Sequence, residues 1–388
     1  MNINYSRADT PDMSRVYRPV FFRLTRPEEE DNLNSLLQQN PAILVYDTLE
    51  GQLAELIKLS NPLKKLTKEE SAELVAAHVN GDPYKFGVWI YYPWSAKLIH
   101  TLDEDDFIKV RTNRNIYKVT VADIQTLKTK KVGIIGLSVG QSIAMTMAME
   151  RTCGELRLAD FDEIELSNMN RIRVNIQDIG LNKAVVSARQ IAELDPFINV
   201  VCYTDGITNQ NIDDFFVLNG KLDVLVEECD GIDVKVLSRV KARQYGVPVV
   251  MDTNDKGMLD VERFDLEPER HIFHGKVDEF ENLSPEELYD KLNNLTIREK
   301  GEIVSRFIGV ENLTEAMKYS FTEMNKTIVG WPQLASAVTL GGAMVTDISR
   351  KILLDQFRES GRWFVDFDAF FTNQYNTISY IKGDNATH

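Results

Sequence analysis

The chain has 388 residues, 43% of them hydrophobic, enough to bury roughly three quarters of its unfolded surface without a disulfide or metal staple. Its 59 acidic against 44 basic residues leave a net charge of −15, which opposes a broad electrostatic grip on nucleic acid or an anionic membrane. Cys153, Cys202 and Cys229 lack the paired spacing of a disulfide framework or zinc site, the N-terminus has no apolar signal region, and no apolar run nears the roughly 20 residues of a membrane span, so a cytoplasmic protein is expected.

Residues 1–106 have their own texture. A strand-like run at Ala42–Tyr46, a Thr67-x-x-Glu70 capping box and an aromatic strand at Phe86–Tyr92 predict a small N-terminal α/β domain, with the Tyr91-Tyr92-Pro93-Trp94 cluster read as core rather than partner surface. From Lys130 a regular alternation begins. Apolar runs at Val132–Ile135, Leu156–Leu158, Val200–Tyr203, Val224–Val226 and Val247–Val250 are separated by helical periods such as Lys183–Leu194 and Asp233–Tyr245. Short buried strands alternating with helices predict an α/β fold, a doubly wound, mostly parallel Rossmann-like sheet, with its core over 107–265. Residues 266–330 read as an insertion or crossover that holds a Ser284-x-x-Glu287 capping box, and 331–388 as a long apolar helix and a strand that complete the core. His271 and His274 read as two exposed histidines, since no third metal ligand lies near them in sequence. The last residues, Gly383–His388, are expected to fray.

The candidate site lies where parallel sheets bind ligands, at the carboxyl ends of strands. Gly136-Leu-Ser138-Val-Gly140 ends an apolar strand and opens a Met-rich helix, so its backbone N–H groups and the helix N-terminus can face phosphate; the loop departs from the usual G-x-G-x-x-G. Asp160, twenty residues after Gly140, stands where an acid can accept both hydroxyls of a ribose. Taken alone that pair suits NAD equally well. Asn168, Arg171 and Lys183, following at fixed spacing, favour a triphosphate tail, because Arg grips phosphate oxygens bidentately and Lys adds a compact charge. Asp230 follows the strand Val224–Cys229 and offers a carboxylate for Mg2+, unless it merely caps the next helix.

These residues resemble the signature of the adenylyltransferases of ubiquitin-activating-enzyme type, the family that includes the ThiF and MoeB sulfur-carrier activating enzymes. Its D-x-D-x-[VI]-x-x-x-N-x-x-R stands here as Asp160-Phe-Asp162-Glu-Ile164 through Asn168 to Arg171, its G-x-x-K as Gly180 to Lys183, and its metal-binding acid as Asp230. The resemblance implies ATP and Mg2+ as cofactors, and release of pyrophosphate as a carboxylate becomes an acyl-adenylate. It implies a homodimer as well, because Arg111-Thr-Asn-Arg114-Asn115 resembles the R-Y-x-R-Q whose second arginine reaches the γ-phosphate across a dimer interface, the role this gives Arg114.

Departures from the pattern narrow what is expected. No cysteine follows Cys229, so no thioester step of the chain's own is expected; paired CxxC zinc sites are absent, and Ile172 stands where Gln often follows the arginine. The acyl substrate stays open among a ubiquitin-like protein or peptide C-terminus and a free or tRNA-attached carboxylate. Two other classes stay open beside this one: a non-catalytic ATP-binding dimeric scaffold or sensor, and an NAD(P)-dependent oxidoreductase.

Overall fold

The computed structural model describes residues 12–367 and residue 369, and the chain divides into two compact units, one ending at Val121 and one beginning at Ala122. The tail expected to fray lies outside the described residues.

The N-terminal unit runs β1 (Val20–Phe22), α1 (Pro27–Gln39), β2 (Leu44–Asp47), α2 (Leu49–Ser60), α3 (Lys68–Val79), β3 (Val88–Tyr92), β4 (Lys97–Thr101) and α4 (Glu104–Arg111). Its sheet has the order β1-β3-β4-β2. One cluster buries Phe22, Leu33, Trp89 and Leu98; a second buries Leu49, Leu53, Leu56 and Leu102. Trp89 and Tyr92 are thus core, as the aromatic run predicted. The Thr67/Glu70 box forms both of its reciprocal hydrogen bonds, which starts α3 locally.

The larger unit is led by α5 (Val121–Lys128), which straddles the division. It continues as β5 (Lys131–Ile135), α6 (Gly140–Glu150), β6 (Glu155–Ala159), α7 (Lys183–Leu194), β7 (Asn199–Tyr203), α8 (Ile212–Val217), β8 (Val224–Glu227), α9 (Ile232–Tyr245), β9 (Val249–Thr253) and β10 (Met258–Glu262). Helices α10 (Pro285–Asn293), α11 (Ile297–Ile308), α12 (Glu315–Glu323) and α13 (Ala335–Leu353) precede a last strand, β11 (Gly361–Phe364). The seven strands lie in the order β11-β10-β9-β8-β5-β6-β7. The five apolar runs form the parallel part, while β10 and β11 join antiparallel at one side. The fold is the doubly wound Rossmann-like sheet expected.

Two features position the site. The chain moves outward from β5 through β6 to β7 and then returns to the other flank of β5 as β8, so the strand order reverses between β5 and β8. That reversal opens a crevice at the carboxyl ends of the two strands. The second feature is α13, whose small residues allow close approach: a Cβ added at Gly341 would fall 2.2 Å from the Asp252 carboxylate on β9. Residues 266–330 are also more than a surface excursion. Leu288, Leu292, Ile303 and Phe307 from α10 and α11 bury into the same cluster as Phe215, Val236 and Phe264.

Candidate functional site

Gly136 ends β5 with φ +86°, and a Cβ there would lie 2.7 Å from the backbone of Glu228 and Cys229. The loops that follow β5 and β8 therefore touch at the strand reversal, and only glycine permits it. A side chain at 136 would force the crevice apart.

Asp160, at the end of β6, is 7% exposed and accepts hydrogen bonds from the backbone N–H of Leu137 at 2.6 Å and of Asp162 at 2.8 Å. One oxygen thus braces the glycine turn and the other the backbone just after β6, and burial, resisted by Lys183 and those N–H groups, raises its pKa. The exposed acid beside it is Asp162, whose carboxylate meets Lys183 Nζ at 2.7 Å. Lys183 is itself 5% exposed, which removes the reading of a solvated surface charge. Its place at the start of α7 is set by a residue the motif reading passed over. Asn182 accepts from Ala184 N–H and Val185 N–H, and its amide donates to the Asp160 and Thr204 carbonyls, so the helix start is pinned to two strand ends.

Arg171 lies over the glycine turn. Its Nε and Nη2 donate to Ser138 Oγ at 3.1 and 2.8 Å, joining residues 33 apart in the chain. The loop is held by Gln141, which donates to the Arg173 carbonyl and accepts from the Arg173 N–H. Asn168 is buried and accepts from Glu165 N–H at 3.0 Å in a reciprocal cap, so its amide shapes this turn. Gly140 is the first residue of α6.

Asp230 sits at the mouth of the crevice. The helix that follows has Gly231 as its N-cap, so Asp230 does not serve as that cap, and no protein donor hydrogen-bonds its carboxylate among the described residues. The protein around it raises its pKa by desolvation, against the pull of Lys235, Arg171 and Lys183; burial likewise lowers that of Arg171, with Asp230 opposing. Arg171, Lys183 and Asp230 are therefore electrostatic neighbours. An acid without a protein donor, beside a phosphate-compatible turn, suits an oxygen-seeking divalent cation. Arg114, in the turn Asn113–Asn115, belongs to the N-terminal unit.

The histidine reading needs correction. His271 is exposed and pairs with Asp278 and Glu281, but His274 is only 14% exposed at its side chain and reaches Asp260 at 3.1 Å. The two do not share a ligand set. Burial pushes the thiol of Cys153 up to about 12, and burial with the adjacent Glu227 raises that of Cys229, so neither is poised as a thiolate nucleophile.

Behind Ser138 and Asp230 the crevice deepens into a cavity whose lining includes Glu228, Asp252 and Asp255, acids missed in the sequence. A signal existed for one of them: Asp252 directly follows the wholly buried run Val249-Val-Met251 and is itself buried, where an acid needs a reason.

The sequence profile of the ThiF family matches residues 111–286. Residues 111–286 are thus a ThiF family domain. It is similar to Uncharacterized protein MT1398 of Mycobacterium tuberculosis (strain CDC 1551 / Oshkosh), 44% identical over 346 residues, a match that takes in 89% of this chain and 45% of the relative. It is also similar to tRNA threonylcarbamoyladenosine dehydratase 2 of Saccharomyces cerevisiae, 28% identical over 152 residues, covering 39% of this chain and 34% of the yeast protein. The chain thus spans less than half the length of these curated relatives. Among solved structures, the E. coli tRNA N6-threonylcarbamoyladenosine dehydratase in complex with ATP aligns with a TM-score of 0.46 and 16% identity over 65% of this chain and 97% of that one.

Proposed function

We propose that this chain binds Mg-ATP and adenylates a carboxylate, releasing pyrophosphate and leaving an acyl-adenylate. One observation carries the reading: Arg171, Lys183 and Asp230, from three separate segments, converge on the glycine turn at the strand reversal. In this reading the Gly136–Gly140 turn and the start of α6 face the phosphates, and Arg171, already hydrogen-bonded to Ser138, lies over them. Asp160 and Asp162 bracket the ribose position, Asp160 bracing the turn while Asp162 aims Lys183 through their ion pair. Asn168 holds the loop that presents Arg171.

Asp230 would hold Mg2+, which supplies charge neutralisation on the phosphate oxygens. A carboxylate attacking the α-phosphate must overcome like-charge repulsion and expel pyrophosphate, so cations preorganised around the polyphosphate lower the barrier. Arg114 would enter from a second copy of the chain, making the active species a homodimer. The yeast relative's name, a tRNA threonylcarbamoyladenosine dehydratase, is consistent with carboxylate chemistry in this family.

The decisive measurement is incorporation of labelled pyrophosphate into ATP in the presence of a panel of carboxylates. Exchange in the wild type and a loss on the order of a hundredfold in Asp230→Ala, with an unchanged circular-dichroism spectrum, are expected. Unchanged exchange would remove Asp230 from the mechanism. Mixing inactive Arg114→Ala and Asp230→Ala chains is expected to restore part of the exchange, because a mixed dimer would rebuild one intact site; no restoration would argue against an arginine supplied in trans.

A further inference from the structure

The cavity behind Ser138 and Asp230 has a volume of about 130 Å³, and its walls divide by what they can still offer a ligand. Val304 and Ile308 of α11, Leu313, Met317 and Phe321 of α12, and Trp331 give it an apolar roof. Helical spacing sets part of that roof. On α11, Ile303 and Phe307 are buried in the core cluster, which leaves Val304 and Ile308, each one position on, half-buried over the cavity. Phe321 and Trp331 pack edge to face with ring centroids 4.7 Å apart. The chain just after Trp331 is tied to the glycine-turn side, because Asn170, beside Arg171, donates its amide to the Gln333 carbonyl at 2.8 Å.

Behind the mouth, the charged groups of the lining are spent on the protein itself. Lys235 Nζ lies 3.0 and 3.1 Å from the two oxygens of Glu227, and Asp255 accepts from the N–H and hydroxyl of Thr314. Glu228 is turned to Asp252, accepting its N–H at 2.9 Å with the two carboxyl groups side by side. Asp252 in turn lies against Gly341 of α13, so its oxygens do not open into the cavity. A polar group entering here would leave water with no protein partner to replace it, whereas an apolar group gains by leaving water.

We propose that this cavity is the acyl-substrate pocket and that it takes a small carboxylic acid with an apolar tail. The tail lies under Phe321 and Trp331, and the carboxylate points out past Ser138 toward the glycine turn. There one carboxylate oxygen bonds to the α-phosphorus of ATP as the bond to the bridging oxygen breaks, and that bond's electron pair leaves with pyrophosphate. A volume close to the roughly 150 Å³ of an apolar cavity that admits benzene fits one phenyl or branched alkyl group. It falls short of the roughly 300–1,000 Å³ of pockets for drug-sized ligands, so a stretch of peptide does not fit inside. The acyl role rests on the adenylation reading; the preference for an apolar tail does not.

Two measurements on the full chain tell these apart. In the first, thermal stabilisation is titrated without ATP, using 3-phenylpropanoate and 4-methylpentanoate against 5-hydroxypentanoate and pentanedioate, which carry the same carboxylate on a polar tail. The apolar acids are expected to half-saturate at a concentration at least about tenfold lower. Val304→Trp and Met317→Trp, which fill the cavity from α11 and α12, are expected to bring that advantage within about twofold with an unchanged circular-dichroism spectrum. Phe321→Ala, which opens the roof instead, is expected to weaken the apolar acids by about tenfold and leave the polar ones unchanged. Equal stabilisation by all four acids in the wild type, or an advantage undiminished in every variant that folds, overturns the proposal. In the second, pyrophosphate exchange is compared for the same four acids below saturation. Exchange that favours the apolar acids by about tenfold supports the proposal. Equal exchange overturns it and leaves adenylation standing. An apolar preference in binding with no exchange for any acid overturns adenylation, and with it the acyl role, and leaves the apolar site.

Discussion

Glu227 and Glu228 are neighbours in the chain, yet the fold treats them in opposite ways. Glu227 is fully buried beneath α9, where Lys235 and Arg239 both reach it, and Arg239 in turn spans to Glu262 at 2.6 Å while lying 3.9 Å above the ring centre of Phe273. Burial alone would raise Glu227, but Lys235 and Arg239 outweigh it and hold the carboxylate below its ordinary range. Asp260, further along the same layer, is likewise held low by His274 and Arg362 against its burial. Glu228 lies toward the crevice beside Asp252, its carboxyl partner; at the mouth, no protein donor reaches the Asp230 carboxylate among the described residues, and Arg171 rests on the Ser138 hydroxyl, the Asn170 amide oxygen and the Ser167 carbonyl. Charges that hold the fold together are saturated by partners; those that line the crevice keep bonding capacity in reserve. A ligand can use only what the protein has not already used.

Breaking the saturated side should cost the most stability. Arg239→Ala strands two buried carboxylates and is expected to destabilise the larger unit by about 3–5 kcal/mol in urea unfolding, or to prevent its folding. An unfolding midpoint equal to that of the wild type would deny the network its structural role. Arg171→Ala should do the reverse. Its partners are side-chain oxygens of Ser138 and Asn170 together with the Ser167 carbonyl, so unfolding should shift by under about 1 kcal/mol while pyrophosphate exchange falls on the order of a hundredfold.

The acids of the crevice sharpen the comparison through pH. The folded pKa of Asp252 lies near 7, above its ordinary 3.8, so its proton favours the native state at low pH. That contribution is whole below 3.8, is lost as the pH rises toward 7, and is level beyond. Glu228 and Lys235 face the same carboxylate and share in the titration. Asp252→Asn, which has no proton to lose, should therefore gain stability relative to wild type between pH 4 and 7, by at most about 1.4 kcal/mol per pH unit. Parallel unfolding curves of the two proteins across that range would show the acid to be satisfied after all. The smallest effect expected is at the cap: Asn182→Ala should cost about 1 kcal/mol and lower exchange modestly, by loosening the turn that carries Lys183. A variant with unaltered melting would show that the α7 start is held by other bonds.

Much of this architecture was legible before any coordinates. The run of apolar strands, the helix from Lys183 to Leu194, and the Thr67/Glu70 and Ser284/Glu287 boxes are written in periods and hydrogen bonds that close within a few residues. The candidate nucleotide residues were legible for a similar reason, since Gly136, Asp160, Arg171 and Lys183 sit at strand ends and helix starts that local pattern locates. The partner of each side chain was not legible. Asp162 rather than Asp160 pairs with Lys183, and His274, read as exposed, turns inward to Asp260. The stretch 266–330, lacking a strand rhythm, reads as an insertion, yet it supplies core from Leu288, Ile303 and Phe307 and lines the cavity behind Ser138 with Leu313, Met317 and Phe321.

By itself the sequence determined the parallel sheet, the glycine turn and the family, because propensity, periodicity and motif spacing act over short separations along the chain. Only the tertiary structure decided which charges are spent and which are held free. Ser138, which Arg171 grips, and Arg362, which grips Asp260, lie 33 and 102 residues from those partners, and whether a buried charge is met depends on every group packed around it, not only on its neighbours in sequence.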